Sequence, residues 1–290
     1  MERQCEESGM TYREAYEQGV KELKGHGVPD ADLDAFYLLE HASGGRLSRA
    51  KYLACREEPI DEALFGSYLA LLALRGKRIP LQQITGSQEF CGLSFQVNGN
   101  VLIPRQDTET LVEEALRILR PGMRVLDLCT GSGCIIISLK KLCPGIRASA
   151  CELSAEALRT ARQNAENHQT EISFFQGDLF EALPAGDRYD MIVSNPPYIE
   201  SGEIRTLMEE VRLYEPRIAL DGGEDGLLFY RRIVAGSPEF LAGEGWLVFE
   251  TGCSQGRAVA ELMERNGFSG VRICRDLAGM DRVVLGRLDR

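Results

Sequence analysis

Hydrophobic residues near the start of the chain recur at the three- and four-residue spacing of one helix face. The first of three such runs carries apolar side chains at Tyr12, Ala15, Tyr16 and Val20. The second run follows Pro29-Asp30, and the third extends from about 61 to 76. This pattern predicts a helical domain over residues 1–78. It leaves two interpretations open: a bundle that serves packing alone, or a surface that docks a substrate.

The hydrophobic pattern changes between residues 79 and 103. Its apolar side chains are Phe90, Leu93, Phe95 and Val97, and Gly92 interrupts them. The segment Asn98-Gly99-Asn100 then closes the run, as clusters of turn residues do. A β-hairpin over residues 79–103 is therefore predicted to link two domains.

From residue 104 onward, short apolar runs with strand character alternate with amphipathic helical runs. The strand candidates are 124–128, 147–152, 172–175, 190–194, 246–250, 270–274 and 283–285. Ser154 occupies the N-cap position of one helix. Repeated β-α units predict an α/β fold with a mostly parallel sheet and helices on both faces. No helix separates the last two strands, so these are expected to pair as an antiparallel edge.

Composition restricts the class of protein. The 290 residues are 44% hydrophobic and 27% charged, as in an ordinary globular chain. No apolar run approaches the ~18 residues of a membrane span, and the start of the chain lacks a secretory signal. Nine cysteines without paired-ligand spacing do not predict a disulfide framework, which favours a cytoplasmic location. The net charge of −11 argues against a partner bound through its phosphates.

The first candidate site follows the strand at 124–128. Residues 127–133 read Asp-Leu-Cys-Thr-Gly-Ser-Gly, a turn of small residues before a helix. Backbone N–H groups in such a turn approach a ligand at the helix N-terminus. Ligands of open α/β sheets also gather at the carboxyl ends of the strands. The spacing matches neither a dinucleotide fingerprint nor a P-loop, and a turn that needs glycine for shape alone is the alternative.

Two acidic positions strengthen the first signal. Glu152 ends the second of these strands, 19 positions after Gly133, and Gly177-Asp178 follows the third strand. A carboxylate at a strand end can accept both hydroxyls of a ribose. Taken singly, Glu152 is also compatible with a solvated acid, and Gly177-Asp178 with an ordinary turn. Together with the glycine turn, they predict a pocket for an adenosine group.

The second candidate site is Asn195-Pro196-Pro197-Tyr198, directly after an apolar strand. An amide nitrogen is a poor nucleophile, so a site that methylates it must hold and aim the NH₂ group. The Asn195 side-chain oxygen and the Pro196 carbonyl oxygen are expected to accept from that group. Tyr198 can stack on the amide and favour the positive charge that develops on nitrogen. A proline turn that merely ends the strand is the alternative.

Taken together, these motifs resemble the release factor glutamine methyltransferase family, of the HemK/PrmC type. The resemblance covers most of the chain. The matching segments are 80–86, 101–105, 127–133, 194–199, 215–226, 250–252 and 276–284. The Asn-Pro-Pro-Tyr tetrad alone is shared with DNA adenine and rRNA guanine methyltransferases, but the ordered combination of segments is far more specific.

The resemblance implies a seven-stranded Rossmann-like methyltransferase domain over residues 104–290, behind a helical substrate-docking domain. It implies a cytoplasmic protein-(glutamine-N5) methyltransferase of translation termination, which uses S-adenosyl-L-methionine and releases S-adenosyl-L-homocysteine. The implied substrate is the glutamine of the Gly-Gly-Gln motif in class I peptide release factors, and no metal, membrane or direct nucleic-acid partner is expected. Residues implied to surround the cofactor are Asp127, Cys129, Thr130, Gly131, Ser132, Gly133, Glu152, Asp178, Leu179 and Asn195. Residues implied to hold the glutamine are Asn195, Pro196, Pro197 and Tyr198, and Asn195, Pro196 and Tyr198 are the implied catalytic ones.

The chain departs from the family pattern at four positions. Cys129 stands where the family usually has glycine, which indicates an adapted turn and puts the cofactor affinity in question. Glu152 replaces the more frequent aspartate with a longer arm. Gln106 replaces a proline, which is expected to loosen its loop. Leu179 replaces an aromatic residue of some members, so that an aliphatic contact would stand in for adenine stacking.

Two rival functions remain at this point. A nucleic-acid base methyltransferase would place a flipped adenine or guanine amine in the same tetrad. A basic channel beside Tyr198 would favour that function. A degenerate cofactor-binding module, impaired by Cys129, is the non-enzymatic rival, and failure to bind S-adenosylmethionine would favour it.

Overall fold

The computed structural model describes residues 9–289, and its contacts divide the chain into two compact units. These units are Met1–Gly86 and Ser87–Arg290. The division falls eight residues after the predicted end of the helical domain at 78. The separate roles assigned to residues 1–78, 79–103 and 104–290 stay predictions.

The described part of the first unit is helical. Its helices are α1 (Tyr12–Gly25), α2 (Ala31–Ala42), α3 (Arg49–Cys55), α4 (Glu62–Gly76) and α5 (Leu81–Thr85). Thr11 and Glu14 begin α1 with a capping box, in which each side chain accepts a hydrogen bond from the backbone of the other. The three helices α1, α2 and α4 correspond to the three predicted runs. The short helices α3 and α5 have no counterpart in the hydrophobic pattern, because neither spans enough turns to show one.

The second unit begins with a β-hairpin of β1 (Ser87–Phe90) and β2 (Leu93–Gln96). The two strands pair antiparallel around Cys91 and Gly92, whose φ angles are 49° and 71°. Two consecutive left-handed residues make the tight turn whose twist matches that of the flanking strands. A hairpin within the predicted segment 79–103 is therefore confirmed, and it turns at Cys91-Gly92. It is shorter than predicted, because Leu81–Thr85 forms the helix α5.

A seven-stranded sheet forms the centre of the second unit. Its strands are β3 (Arg124–Leu128), β4 (Arg147–Glu152), β5 (Ile172–Gln176), β6 (Tyr189–Ser194), β7 (Leu241–Glu250), β8 (Phe268–Arg275) and β9 (Asp281–Leu288). Their spatial order is β5-β4-β3-β6-β7-β9-β8. The pairs among β3 to β7 are parallel, whereas β9 is antiparallel to both of its neighbours. The predicted α/β fold with seven strands is confirmed.

Helices cover both faces of this sheet. They are α6 (Glu109–Ile118), α7 (Cys134–Leu142), α8 (Ala155–Asn167), α9 (Glu209–Tyr214), α10 (Leu228–Phe240) and α11 (Gly256–Arg265). Apolar residues of α6, α7 and α8 pack into one hydrophobic cluster, and those of α10 and α11 pack into the other. The order of the strands reverses between β3 and β6, which is where ligands bind in open sheets of this kind.

Candidate functional site

The carboxyl ends of β3, β4, β5 and β6 surround a cavity in the second unit. Together with the open solvent at its mouth, it comprises about 690 Å³ of empty space. The predicted site residues that line it are Cys129, Gly131, Glu152, Asp178, Leu179, Asn195 and Pro197. The other predicted residues lie next to these in the chain without lining the cavity themselves: Asp127, Thr130, Ser132, Gly133, Pro196 and Tyr198. One cavity therefore brings the two sequence motifs together.

The glycine turn owes its shape to left-handed backbone. Cys129, Gly131 and Gly133 have φ angles of 60°, 55° and 81°. A Cβ atom at Gly133 would lie 2.9 Å from Ile137 Cδ1 and 3.3 Å from Ala161 Cβ, so glycine also permits the close packing of α7 against α8. Cys129 has a left-handed backbone conformation, which residues with a Cβ atom disfavour. This accounts for the glycine that is usual at this position in the family that the sequence resembles.

A buried carboxyl group stands behind the turn. Asp127 is fully buried, and its Oδ2 accepts a hydrogen bond from Thr130 Oγ1 at 2.5 Å. Burial raises the pKa of Asp127 to about 7, and the hydrogen bond from Thr130 opposes this shift. The backbone N–H of Ile136, in the first turn of α7, opposes it as well. Through Thr130, the Asp127 side chain thus joins the end of β3 to the turn that follows it.

Glu152 connects the glycine turn to the next β-α turn. Its Oε2 accepts from the Gly131 N–H at 2.9 Å, and its Oε1 accepts from the Ser154 N–H at 3.0 Å. Each carboxylate oxygen has a second lone pair. Glu152 therefore fixes the backbone on both sides and can still accept hydrogen bonds on the cavity side.

Asp178 and Leu179 close the next part of the wall. Asp178 pairs with Arg232 of α10, with Oδ2 and Nη2 2.9 Å apart. Leu179 is buried and has a φ of 52°, a left-handed conformation that is costly for leucine. Phe229, also from α10, lines the same cavity. Sequence reasoning missed Phe229, because an apolar residue on an amphipathic helix carries no mark of a ligand site.

The Asn-Pro-Pro-Tyr loop supplies the opposite wall. Asn195 Nδ2 lies 3.4 Å from the Thr108 hydroxyl oxygen, to which it donates, and this leaves Asn195 Oδ1 as an acceptor. Among residues 9–289, none donates a hydrogen bond to the Pro196 carbonyl oxygen, so both of its lone pairs stay available. The Tyr198 hydroxyl donates to Glu250 Oε1 at 3.4 Å. Burial, and next the negative charge of Glu250, raise the pKa of Tyr198, so its phenol stays neutral.

Contacts from later parts of the chain hold this loop in place. Ile199 forms a parallel bridge with Asp221, in which the Ile199 N–H donates to Leu220 O at 3.0 Å. Gln255 Nε2 donates to the Tyr198 carbonyl oxygen at 2.9 Å. A Cβ atom at Gly222 would lie 2.6 Å from Tyr198 Cα, so only glycine fits there. In the sequence, the 215–226 segment is recognisable only as a family match, and these contacts give it a structural role.

Other kinds of chemistry find no support in the residues that the structure describes. Burial raises the pKa of the Cys129 thiol, and it raises that of Cys151 to about 12, so neither supplies a thiolate. Within residues 9–289 no group of His, Cys, Asp and Glu side chains has the arrangement of a metal site. Over the same residues, no helix has both the length and the apolar character needed to cross a membrane.

Comparisons with known proteins point to one family. The family model of the methyltransferase small domain matches residues 106–223, and that of the PrmC N-terminal domain matches residues 14–86. A release factor glutamine methyltransferase of Geobacter sulfurreducens is 46% identical over 263 residues, which are 90% of this chain and 91% of that protein. Another from Cereibacter sphaeroides is 40% identical, and the alignment covers 96% of this chain and 99% of that one.

Solved structures resemble part of this chain in fold. A methyltransferase from Pyrococcus furiosus aligns over 69% of this chain and 90% of its own with a TM-score of 0.53, at 16% sequence identity. At that identity the likeness concerns the fold alone. The sequence relatives go further, because their identity extends over nearly the whole chain, the two motifs and the N-terminal segment included. The chain belongs to the release factor glutamine methyltransferase family.

Proposed function

We propose that this chain transfers a methyl group from S-adenosylmethionine to the side-chain amide nitrogen of the Gly-Gly-Gln glutamine in class I peptide release factors. Family membership supports this class of substrate. The structural observation that carries the proposal is a pair of acceptors with free lone pairs, Asn195 Oδ1 and the Pro196 carbonyl oxygen, beside the cavity. Two acceptors match the two hydrogens of a primary amide. Since this substrate belongs to the translation machinery, the cytoplasm is the proposed location of the reaction.

The cavity residues fit S-adenosylmethionine, which supplies an electrophilic methyl group on its sulfonium sulfur. Glu152 retains acceptor capacity for the two ribose hydroxyls. Leu179 and Phe229 offer apolar surface to an adenine ring, and Phe229 provides the aromatic face that Leu179 lacks. The left-handed turn at Gly131 and Gly133 leaves the backbone without side chains where the amino acid part of the cofactor would pass.

The Asn-Pro-Pro-Tyr loop would position the glutamine rather than activate it by a base. When Asn195 Oδ1 and the Pro196 oxygen both accept from the NH₂ group, the nitrogen lone pair projects out of the amide plane. The neutral Tyr198 ring stabilises the positive charge that forms as the methyl group arrives. Alignment of the reacting atoms supplies most of the rate. The proton is released to solvent after the transfer.

The charges around the loop favour a protein over a nucleic acid. Arg105 pairs with Glu215 at 2.5 Å, and Arg282 pairs with Asp276 at 3.1 Å and Asp107 at 3.2 Å. Cations that are already neutralised give little attraction for phosphates. The net charge of −11 acts in the same direction. Neither observation supplies the basic channel that a base methyltransferase would need.

The helical first unit is proposed to dock the release factor. Its match to the PrmC N-terminal domain supports this role. Large apolar side chains on its surface offer contacts for a protein partner: Leu33, Tyr37, Leu53 and Leu74. Such contacts would select the substrate protein, because the tetrad itself accepts any planar NH₂ group.

The deciding experiment incubates the purified chain with methyl-labelled S-adenosylmethionine and a purified class I release factor. We expect the release factor to gain the mass of one methyl group at the Gly-Gly-Gln glutamine. A release factor with that glutamine replaced serves as the matched control and should take no label. Parallel reactions contain DNA or rRNA. Labelled nucleic acid beside an unlabelled release factor would reverse the assignment in favour of a base methyltransferase.

A further inference from the structure

One side chain from the turn after β7 contacts three segments around the Asn-Pro-Pro-Tyr loop. Gln255 Nε2 donates to the Tyr198 carbonyl oxygen at 2.9 Å and to the Gly226 carbonyl oxygen at 3.4 Å. Its Oε1 accepts from the Gly252 N–H at 3.1 Å. The backbone N–H of Gln255 donates in turn to the Gly252 carbonyl oxygen at 2.9 Å. Both ends of the Gln255 amide therefore bind backbone groups.

The backbone around this amide leaves room for it only because two residues are glycine. A Cβ atom at Gly226 would lie 2.5 Å from Gln255 Nε2 and 2.4 Å from the Tyr198 carbonyl oxygen. A Cβ atom at Gly252 would lie 2.8 Å from Gln255 Oε1. A side chain at either position would thus push the amide away from its partners. Glycines on two different turns therefore converge on the same amide group.

The Gln255 amide connects the loop to the beginnings of two helices. Gln255 occupies the N-cap position of α11, and Gly226 lies two positions before α10. The apolar residues of both helices pack into one hydrophobic cluster with the sheet. Elements packed in this way are rigid supports for a site. The Tyr198 backbone, at the end of the loop, is thus attached to a fixed part of the fold.

We propose that Gln255 is a positioning residue, whose oriented amide fixes the Tyr198 backbone and with it the two acceptors proposed to hold the substrate glutamine. Gln255 does not line the cavity itself, so it acts through the loop. The two prolines between Asn195 and Tyr198 have fixed φ angles, and a shift at Tyr198 is therefore passed on to both acceptors. This inference rests on the function proposed above.

The partners of the Gln255 amide determine its direction. Tyr198 and Gly226 present carbonyl oxygens, which only accept, and Gly252 presents an N–H, which only donates. The NH₂ group must therefore face the two carbonyl oxygens, and Oε1 must face the N–H. A glutamate at this position would have the same shape but, when ionised, no donor. Its second oxygen would lie against two carbonyl oxygens, and the loop would move away to relieve the repulsion.

Gln255→Glu tests the amide with almost no change in size. At saturating release factor and cofactor, we expect kcat to fall about 10- to 100-fold, because a misplacement of about 1 Å costs up to about 10²-fold. The Kd for S-adenosylmethionine should stay within about twofold. A negative charge at the start of α11 is favourable to the helix dipole, so the variant should still fold. Gln163→Glu adds the same charge on the exposed face of α8 and should leave kcat within about twofold.

Hydrogen exchange tests the position of the loop without any substrate. The N–H groups of Ile199 and Ser201, directly after the loop, are hydrogen-bonded to the segment 220–223. In Gln255→Glu these two amides should exchange about tenfold faster or more, because the loop opens more often. The amides of the glycine turn at 127–133 should exchange as in the wild type. Such a local change would separate a displaced loop from a protein that is destabilised throughout.

A double-mutant cycle with Asn195→Ala identifies how the effect reaches the reaction. Once the Asn195 acceptor is absent, the position of the loop matters less, and Gln255→Glu should change kcat less than about threefold. The inference is overturned if Gln255→Glu lowers kcat by the same factor in both backgrounds, or by less than about threefold in the wild type. Unchanged exchange at Ile199 and Ser201 would overturn it as well. If the wild type leaves the release factor unmethylated, the proposed function fails, and hydrogen exchange still decides whether Gln255 fixes the loop.

Discussion

The proposed cofactor side and the proposed substrate side of the cavity are built from contacts between residues at different distances in the sequence. On the cofactor side, Asp127 contacts Thr130, and Glu152 contacts Gly131 and Ser154, so the partners are 2 to 21 positions apart in sequence. On the substrate side, Asn195 contacts Thr108 and Tyr198 contacts Glu250, which are 87 and 52 positions apart. The first side consists of consecutive β-α turns, and the second is assembled from distant segments.

This difference predicts how each side responds to substitution. A local turn keeps much of its shape when one side chain is removed, because its backbone dihedrals define it. A loop held by distant partners shifts when any of these partners changes. Substitutions on the substrate side should therefore lower kcat while cofactor binding persists. Substitutions on the cofactor side should mainly raise the Kd for S-adenosylmethionine.

Asn195→Ala is expected to have the largest effect. It removes the acceptor that aims the glutamine NH₂ group, and the loss of one preorganised polar contact usually costs about 10²–10³-fold in rate. Single-turnover methylation of the release factor measures this loss. Cofactor affinity, measured by calorimetry, should change much less. A rate within about threefold of the wild type, below ~0.7 kcal/mol in barrier height, would contradict the role given to Asn195.

Because the contacts around the glycine turn are local, the sequence itself shows the residues that form this part of the cavity. Left-handed glycines and a carboxylate at a strand end have local signatures, so 127–133 and Glu152 are recognisable from the sequence alone. The resemblance to the release factor glutamine methyltransferase family is confirmed, as are the seven strands and the hairpin. The roles of the individual site residues stay predictions.

The supports of the substrate side could not be predicted. Thr108 is an ordinary polar residue that nothing in its neighbourhood marks, and Glu250 is marked only as part of the matching segment 250–252. Gly222 is only part of a matching segment in the sequence, because the close approach to Tyr198 exists in three dimensions alone. The same holds for Phe229. The order of the strands in the sheet brings these residues to the site. That order depends on packing across the whole sheet.

Gly222→Ala tests whether the loop depends on distant support. Its new Cβ atom would lie 2.6 Å from Tyr198 Cα and 2.7 Å from Tyr198 C, and these backbone atoms must shift to relieve the contact. Misplacement of a reacting group by about 1 Å costs up to about 10²-fold, so we expect kcat to fall about 10- to 100-fold. Gly202→Ala is the matched control, since its Cβ atom meets nothing within 4 Å. Equal kcat values for the two variants would argue against a loop fixed by Gly222.

Glu152→Ala tests the cofactor side. It leaves the ribose hydroxyls without their acceptor, at a cost of about 1–3 kcal/mol, and it frees the N–H groups of Gly131 and Ser154. The Kd for S-adenosylmethionine should rise about five- to hundredfold in calorimetry. Glu156→Ala, which removes an exposed carboxylate of α8, should leave the Kd unchanged. If Glu152→Ala also leaves the Kd unchanged, Glu152 supports the backbone of the turns and does not bind the ribose.

The smallest effect is expected at Cys129. The glycine turn holds this residue in a left-handed backbone conformation that a residue with a Cβ atom disfavours. With a φ of 60°, Cys129 bears a conformational cost of about 1–2 kcal/mol that glycine would not. Glycine also gains entropy in the unfolded chain, which offsets about 0.4–1 kcal/mol of this relief. Cys129→Gly should therefore change the free energy of unfolding by no more than about 1 kcal/mol, towards greater stability.

Cys129→Val carries a β-branched side chain in the same conformation and should be clearly less stable. Urea denaturation of the three proteins measures both changes. If Cys129→Gly proved much less stable than the wild type, packing of the thiol rather than backbone shape would define the turn.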